Sequence, residues 1–95
     1  MEFSNRTDGD AYFSLGMIFR KMKKNTKAIE YFDEAIKNLK HQDQYNVFIE
    51  RGICYRDIGL LESSINDFLK ALEIRKDDPF ANFHLGINYL MNNNY

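Results

Sequence analysis

Five side chains in the sequence could carry catalysis or ligate a metal: His41, His84, Cys54, Ser63 and Ser64. A nucleophile needs a base within hydrogen-bonding reach, and a structural metal site needs about four clustered ligands. The five do not form such a set. His41 falls in a polar stretch between two hydrophobic segments, and His84 lies more than 40 residues further on. Cys54 is flanked by Ile53 and Tyr55, which reads as a small buried hydrophobe and not as an activated thiol. There is no glycine-rich phosphate loop, no paired-histidine motif and no calcium loop. The expectation is therefore no catalytic residue, no metal, no cofactor and no enzyme activity.

The charge pattern narrows the partners further. With 95 residues, 44% hydrophobic and 28% charged, the chain fits one small domain, and its formal charge of −1 gives no overall attraction to a polyanion. Arg20, Lys21, Lys23, Lys24 and Lys27 do cluster, but the neighbouring aromatic residues are needed for a core, so a solvated turn is the better reading than a phosphate contact. No nucleic-acid partner is expected. No membrane partner is expected either, since no span of about 20 apolar residues occurs. One cysteine excludes an internal disulfide framework, and with a polar, acidic start from Met1 to Asp10 it points to an intracellular, cytoplasmic setting.

The elements that position these residues emerge on sliding the sequence along itself. Leu15-Gly16, Arg51-Gly52 and Leu85-Gly86 superimpose, and an aromatic follows each glycine three residues later: Phe19, Tyr55 and Tyr89. Ala28, Phe32 and Ala35 align in turn with Ser64, Phe68 and Ala71. The glycines are 36 and then 34 residues apart, and the two extra residues fall near Lys40 to Gln44, where an insertion between hairpins costs little.

This pattern resembles the tetratricopeptide repeat family, whose signature runs from a large residue through Leu-Gly and Tyr to Ala-x3-Phe and a closing Pro. The resemblance implies an all-α fold: a right-handed superhelical stack of antiparallel helix-turn-helix hairpins, five helices in all. It divides the chain into an N-terminal tail (1–8), a first repeat (9–42), a second repeat (45–78) and the first helix of a third, truncated repeat (79–95). Glycine and alanine at the signature positions let helices approach closely, and Phe32 and Phe68 fill the space between them. The helices are expected at about 10–22, 27–39, 44–58, 61–75 and 79–92. Asn25 or Thr26 is the expected cap of the second, Gly59 supplies a left-handed turn, and Asp78-Pro79 caps and opens the fifth. Arg51 for leucine, Ser64 for alanine, Asn82 for a large residue and Lys40 for proline depart from the signature.

In this family the first helix of each hairpin lines an inner, concave wall where peptides lie. Carried over by position, that wall holds Phe13, Met17 and Arg20, then Ile49, Ile53 and Arg56, then Phe83 and Ile87. The family's best-known ligand mode grips a C-terminal carboxylate with groove lysines and asparagines. Here apolar residues occupy those positions, and apolar side chains cannot donate to a carboxylate. The expected activity is therefore protein–protein interaction, a module or scaffold holding a peptide or helical segment in an apolar groove. The fifth helix carries apolar residues around much of its surface, so the alternatives are a homo-oligomer joined through that C-terminal helix, or a fragment or targeting arm of a larger protein.

Overall fold

The computed structural model describes residues 6–93. They form five α-helices, α1 (Arg6–Lys21), α2 (Asn25–Asn38), α3 (Tyr45–Asp57), α4 (Leu61–Ile74) and α5 (Pro79–Asn93), with no strand among the described residues. Helices α1 and α2 pack as one hairpin and α3 and α4 as a second; α2 lies against α3, and α5 docks on α4. The result is the expected stack of helical hairpins.

Two aromatic rings organise the core. Phe32 and Phe68 are both fully buried, each lying across the glycine of the preceding helix. A Cβ built on Gly16 would sit 2.5 Å from a ring carbon of Phe32, and one on Gly52 would sit 3.0 Å from Phe68. The glycines therefore set the spacing within each hairpin. Around Phe32 lie Ala28, Ala35, Leu39, Val47 and Cys54; around Phe68 lie Tyr45, Phe48, Ile49, Ala71, Ala81 and Leu85. Half-buried Ile36 packs against both clusters and makes the core continuous.

The two hairpin turns repeat one another atom for atom. Gly59 has a φ of 89°, and its N–H donates to the Arg56 carbonyl while Leu60 N–H donates to that of Tyr55. Thirty-six residues earlier Lys23 has a φ of 65°, with Lys23 N–H donating to Arg20 and Lys24 N–H to Phe19. This is a left-handed helix stop that satisfies the last carbonyls of each first helix. Glycine takes that conformation freely, whereas lysine takes it at a cost.

Three expectations are corrected. The first helix begins at Arg6, ahead of the expected Asp10, and Gly9 on it packs against Leu39 so closely that a Cβ would lie 2.6 Å away. Helix α2 starts at Asn25 with Lys24 before it and has no side-chain cap, so neither Asn25 nor Thr26 caps it. Gln44 does not start α3. It follows a 3₁₀ turn at His41–Asp43, formed where the two extra residues fall, and its amide donates to the carbonyls of Ile36 and Leu39 at the end of α2. The cap of α5 is as expected: Asp78 accepts from Ala81 N–H at 2.9 Å and from the Tyr45 hydroxyl.

Candidate functional site

The first helices α1, α3 and α5 carry the eight residues expected to line the wall, and the structure treats them unequally. Phe13, Met17 and Ile53 are half-buried against the core, and Ile87 is half-buried on α5. Phe83 is 64% exposed. Ile49, by contrast, is only 2% exposed and belongs to the core around Phe68, so it offers no surface.

Both arginines are already engaged. Arg20 Nε lies 2.9 Å from Glu50 Oε1, an ion pair joining α1 to α3 across the hairpins. Burial pushes the Glu50 carboxyl above its ordinary range, and Arg20 and Lys21 pull against it. Arg56 Nη1 donates to Asn88 Oδ1 at 3.2 Å, and its Nη2 lies 3.0 Å from His84 Nδ1. Asn88 Nδ2 donates to Ser64 Oγ at 2.7 Å, and Ser64 donates to the Gly52 carbonyl at 2.6 Å. This polar chain ties α3, α4 and α5 together. His84 also stacks on Phe68, with centroids 5.3 Å apart, and burial followed by the Arg56 charge holds it below its usual value. A neutral ring is required, since only an unprotonated Nδ1 can accept from the guanidinium.

A second clip escaped the sequence reading. Arg51 forks onto Asp67, Nε and Nη2 each donating at 2.8 Å, and reaches Asp33 with Nη1 at 2.7 Å. It thereby joins α2, α3 and α4. Burial opposes the charge on Arg51, but the bonds to Asp67 and Asp33 outweigh that and raise its pKa. Asp67 is almost wholly buried, and the two-pronged guanidinium is what keeps a carboxylate tolerable there. The signal was in the departures themselves, because Arg51 and Ser64, both outside the signature, find partners in Asp67 and Asn88.

Of the residues that could have done chemistry, Ser64 and His84 share the polar chain only through Asn88 and Arg56. Cys54 is buried, and desolvation pushes its thiol up to about 12, so it is held as a neutral hydrophobe. His41 sits in the 3₁₀ turn and Ser64 within the polar chain. Among the described residues no three His, Cys, Asp or Glu side chains converge, and no helix is long and apolar enough to cross a membrane.

Glycine-spaced hairpins, left-handed stops and aromatic fillers recur at one period, and the family model of the tetratricopeptide repeat matches residues 9–40 and again 45–78. The chain belongs to the tetratricopeptide repeat family. Its repeats are a non-catalytic type of module that supports interaction between proteins. The chain is also similar to a UDP-N-acetylglucosamine–peptide N-acetylglucosaminyltransferase of Giardia intestinalis, with 30% identity over 82 residues. That match covers 85% of this chain but 5% of the transferase, so the likeness reaches a small part of the larger protein.

Proposed function

We propose that this tetratricopeptide repeat chain binds a peptide or helical segment of another protein along the apolar wall formed by α1, α3 and α5. The observation that carries the reading is the row Phe13-Met17, Ile53, Phe83-Ile87, whose side chains are open to solvent on one side while Ile49 closes the floor. Such a wall takes an apolar ligand face. Burying about 400 to 600 Å² would contribute of order 10 kcal/mol gross, most of it offset by ordering the ligand. A carboxylate tail is a poor ligand, since Phe13, Ile49, Phe83, Met17, Ile53 and Ile87 offer it no donor. Arg20 and Arg56 flank the wall and, being engaged within the fold, fix its edges more than they attract an acidic group.

The test is selection of binding peptides from a displayed library, followed by titration against Met17→Gln and Ile53→Glu. Both positions are half-buried, so helical content is checked by circular dichroism alongside. Folded variants that lose the selected peptides support the reading; folded variants that bind them unchanged refute it. A second reading is favoured by the transferase match: the repeats serve as the recognition arm of a larger enzyme. Finding a catalytic domain in the same full-length chain would establish it.

A further inference from the structure

The two hairpin turns share a backbone but not a charge. Arg20, Lys21, Lys23, Lys24 and Lys27 put five cations and no acid into residues 20–27, whereas the equivalent residues 56–63 hold Arg56 with Asp57 and Glu62. Position by position, Asp57 stands for Lys21, Gly59 for Lys23, Leu60 for Lys24 and Ser63 for Lys27. Both turns nevertheless close with the same backbone hydrogen bonds, so the lysines contribute nothing that the turn requires.

The lysines are also held against local preference. Lys23 takes a left-handed φ of 65° where glycine serves in the second copy. Lys27 stands in the first turn of α2, at the positive end of the helix dipole; that turn has no acidic residue, whereas the first turn of α4 carries Glu62. Lys23, Lys24 and Lys27 are all exposed, and no carboxylate among the described residues pairs with them, although Arg6, Arg20 and Arg51 are each paired. A local inconsistency that the fold itself does not need is expected where the chain meets something else.

The surroundings select among anions. The three lysines flank a hollow with Ile58, the residue after α3, in its wall and Glu30 as its one acid. Cations at the edge of a recess and an apolar side chain within it fit a chain segment that carries carboxylates around an apolar residue. Nucleic acid fits less well. Phe19, whose ring lies 6.0 Å from the Lys27 ammonium, is half-buried and stacked on Tyr31 with centroids 5.4 Å apart, so it offers a base no open platform. A bilayer surface takes projecting apolar groups and not a recess.

We propose that Lys23, Lys24 and Lys27, at the turn between α1 and α2, dock an acidic segment of a partner protein, its carboxylates on the ammonium groups and an apolar side chain beside Ile58. None of the three lies on α1, α3 or α5, and the inference stands whether or not those helices bind a peptide. The contacts are charge-assisted and open to solvent, so binding weakens as salt is raised.

The test uses the intact 95-residue chain and a fluorescent synthetic peptide of glutamates and aspartates around one leucine, with its amide counterpart of glutamines and asparagines as control. Saturable binding of the acidic peptide alone is expected by anisotropy. Lys23→Gly with Lys27→Ser installs the residues of the second copy; it should weaken binding about tenfold while leaving the chain no less stable in urea. Lys70→Ser with Lys76→Ser removes the same charge at two other exposed positions and should leave binding unchanged. The proposal is overturned if the acidic peptide does not saturate, if the first pair binds it as the parent does, or if both pairs weaken it alike, which would leave net charge as the cause. A first pair less stable than the parent would show the lysines serving the fold, and overturns it as well. Co-sedimentation with phosphatidylserine vesicles that the first pair abolishes, without saturable peptide binding, would assign the lysines to a lipid surface and again overturn it.

Discussion

Adding a single methyl group at Gly16, Gly52 and Gly86 in turn should give three different answers at one repeat position. Each glycine lies inside a helix, where alanine is favoured by roughly 0.5 to 1 kcal/mol for backbone reasons alone. At Gly86 nothing opposes that gain, since no atom beyond its own stretch of helix lies within 4 Å of the new carbon. Gly86→Ala should therefore stabilise the chain by about 0.5 to 1 kcal/mol. At Gly52 the methyl meets Phe68 at 3.0 Å and the Asp67 side chain at 3.3 Å, a tight fit that a shift of a few tenths of an ångström relieves. The two effects there nearly cancel. At Gly16 the contact is 2.5 Å, and the Phe32 ring it meets is fully buried and pinned by Phe13. Overpacking of this kind costs about 1 to 3 kcal/mol, so Gly16→Ala should lose roughly 1 kcal/mol net and lie about 2 kcal/mol below Gly86→Ala. Urea denaturation at constant m-value measures the series. If Gly16→Ala matched or exceeded the parent chain, the close approach of α1 and α2 at Phe32 would be refuted.

Three further predictions follow from single contacts. Arg51→Leu restores the residue usual in the repeat but leaves Asp67, 3% exposed in its side chain, without its paired guanidinium. It should cost about 3 kcal/mol in chemical denaturation, and adding Asp67→Asn should recover part of the loss. Lys23→Gly places glycine where the second turn already has it, in a left-handed conformation, and should raise stability by about 0.5 to 1 kcal/mol, read as a higher melting temperature. His84 is held below its unfolded value near 6.5, first by burial and then by Arg56. Its stabilising contribution is complete above that value and is lost as pH falls through the folded one. Stability measured from pH 7 down to 5.5 should therefore fall more steeply in the parent than in His84→Phe; parallel slopes would show that the Arg56–His84 contact does not control it.

The fold was readable because its determinants are local and repeated. Glycine and phenylalanine at one period, with Gly59 and Asp78-Pro79 as stop and start signals, place four turns and their helices with little dependence on the rest of the chain. What escaped depended on contacts between repeats. Gln44 reads as the start of a helix until the carbonyls of Ile36 and Leu39 are seen beside it. Gly9 opened the first repeat but fell outside the expected first helix, because its partner, Leu39, closes the other end of the hairpin. The spacing of the expected wall residues on each helix was legible, but not how deeply each is buried. Ile49 and Ile53 occupy adjacent turns of the same helix, and only the packing of α4 and α5 sinks the first into the core and leaves the second half open.

The most direct measurement is a methyl-resolved NMR titration of the isoleucine- and methionine-labelled chain with a peptide selected for binding. Shifts should concentrate on Met17, Ile53 and Ile87, which the proposal places on one wall, and leave Ile29, Ile65 and Ile74 on the second helices unmoved. Shifts confined to those second-helix isoleucines, with Met17, Ile53 and Ile87 silent, would contradict the wall as the binding surface.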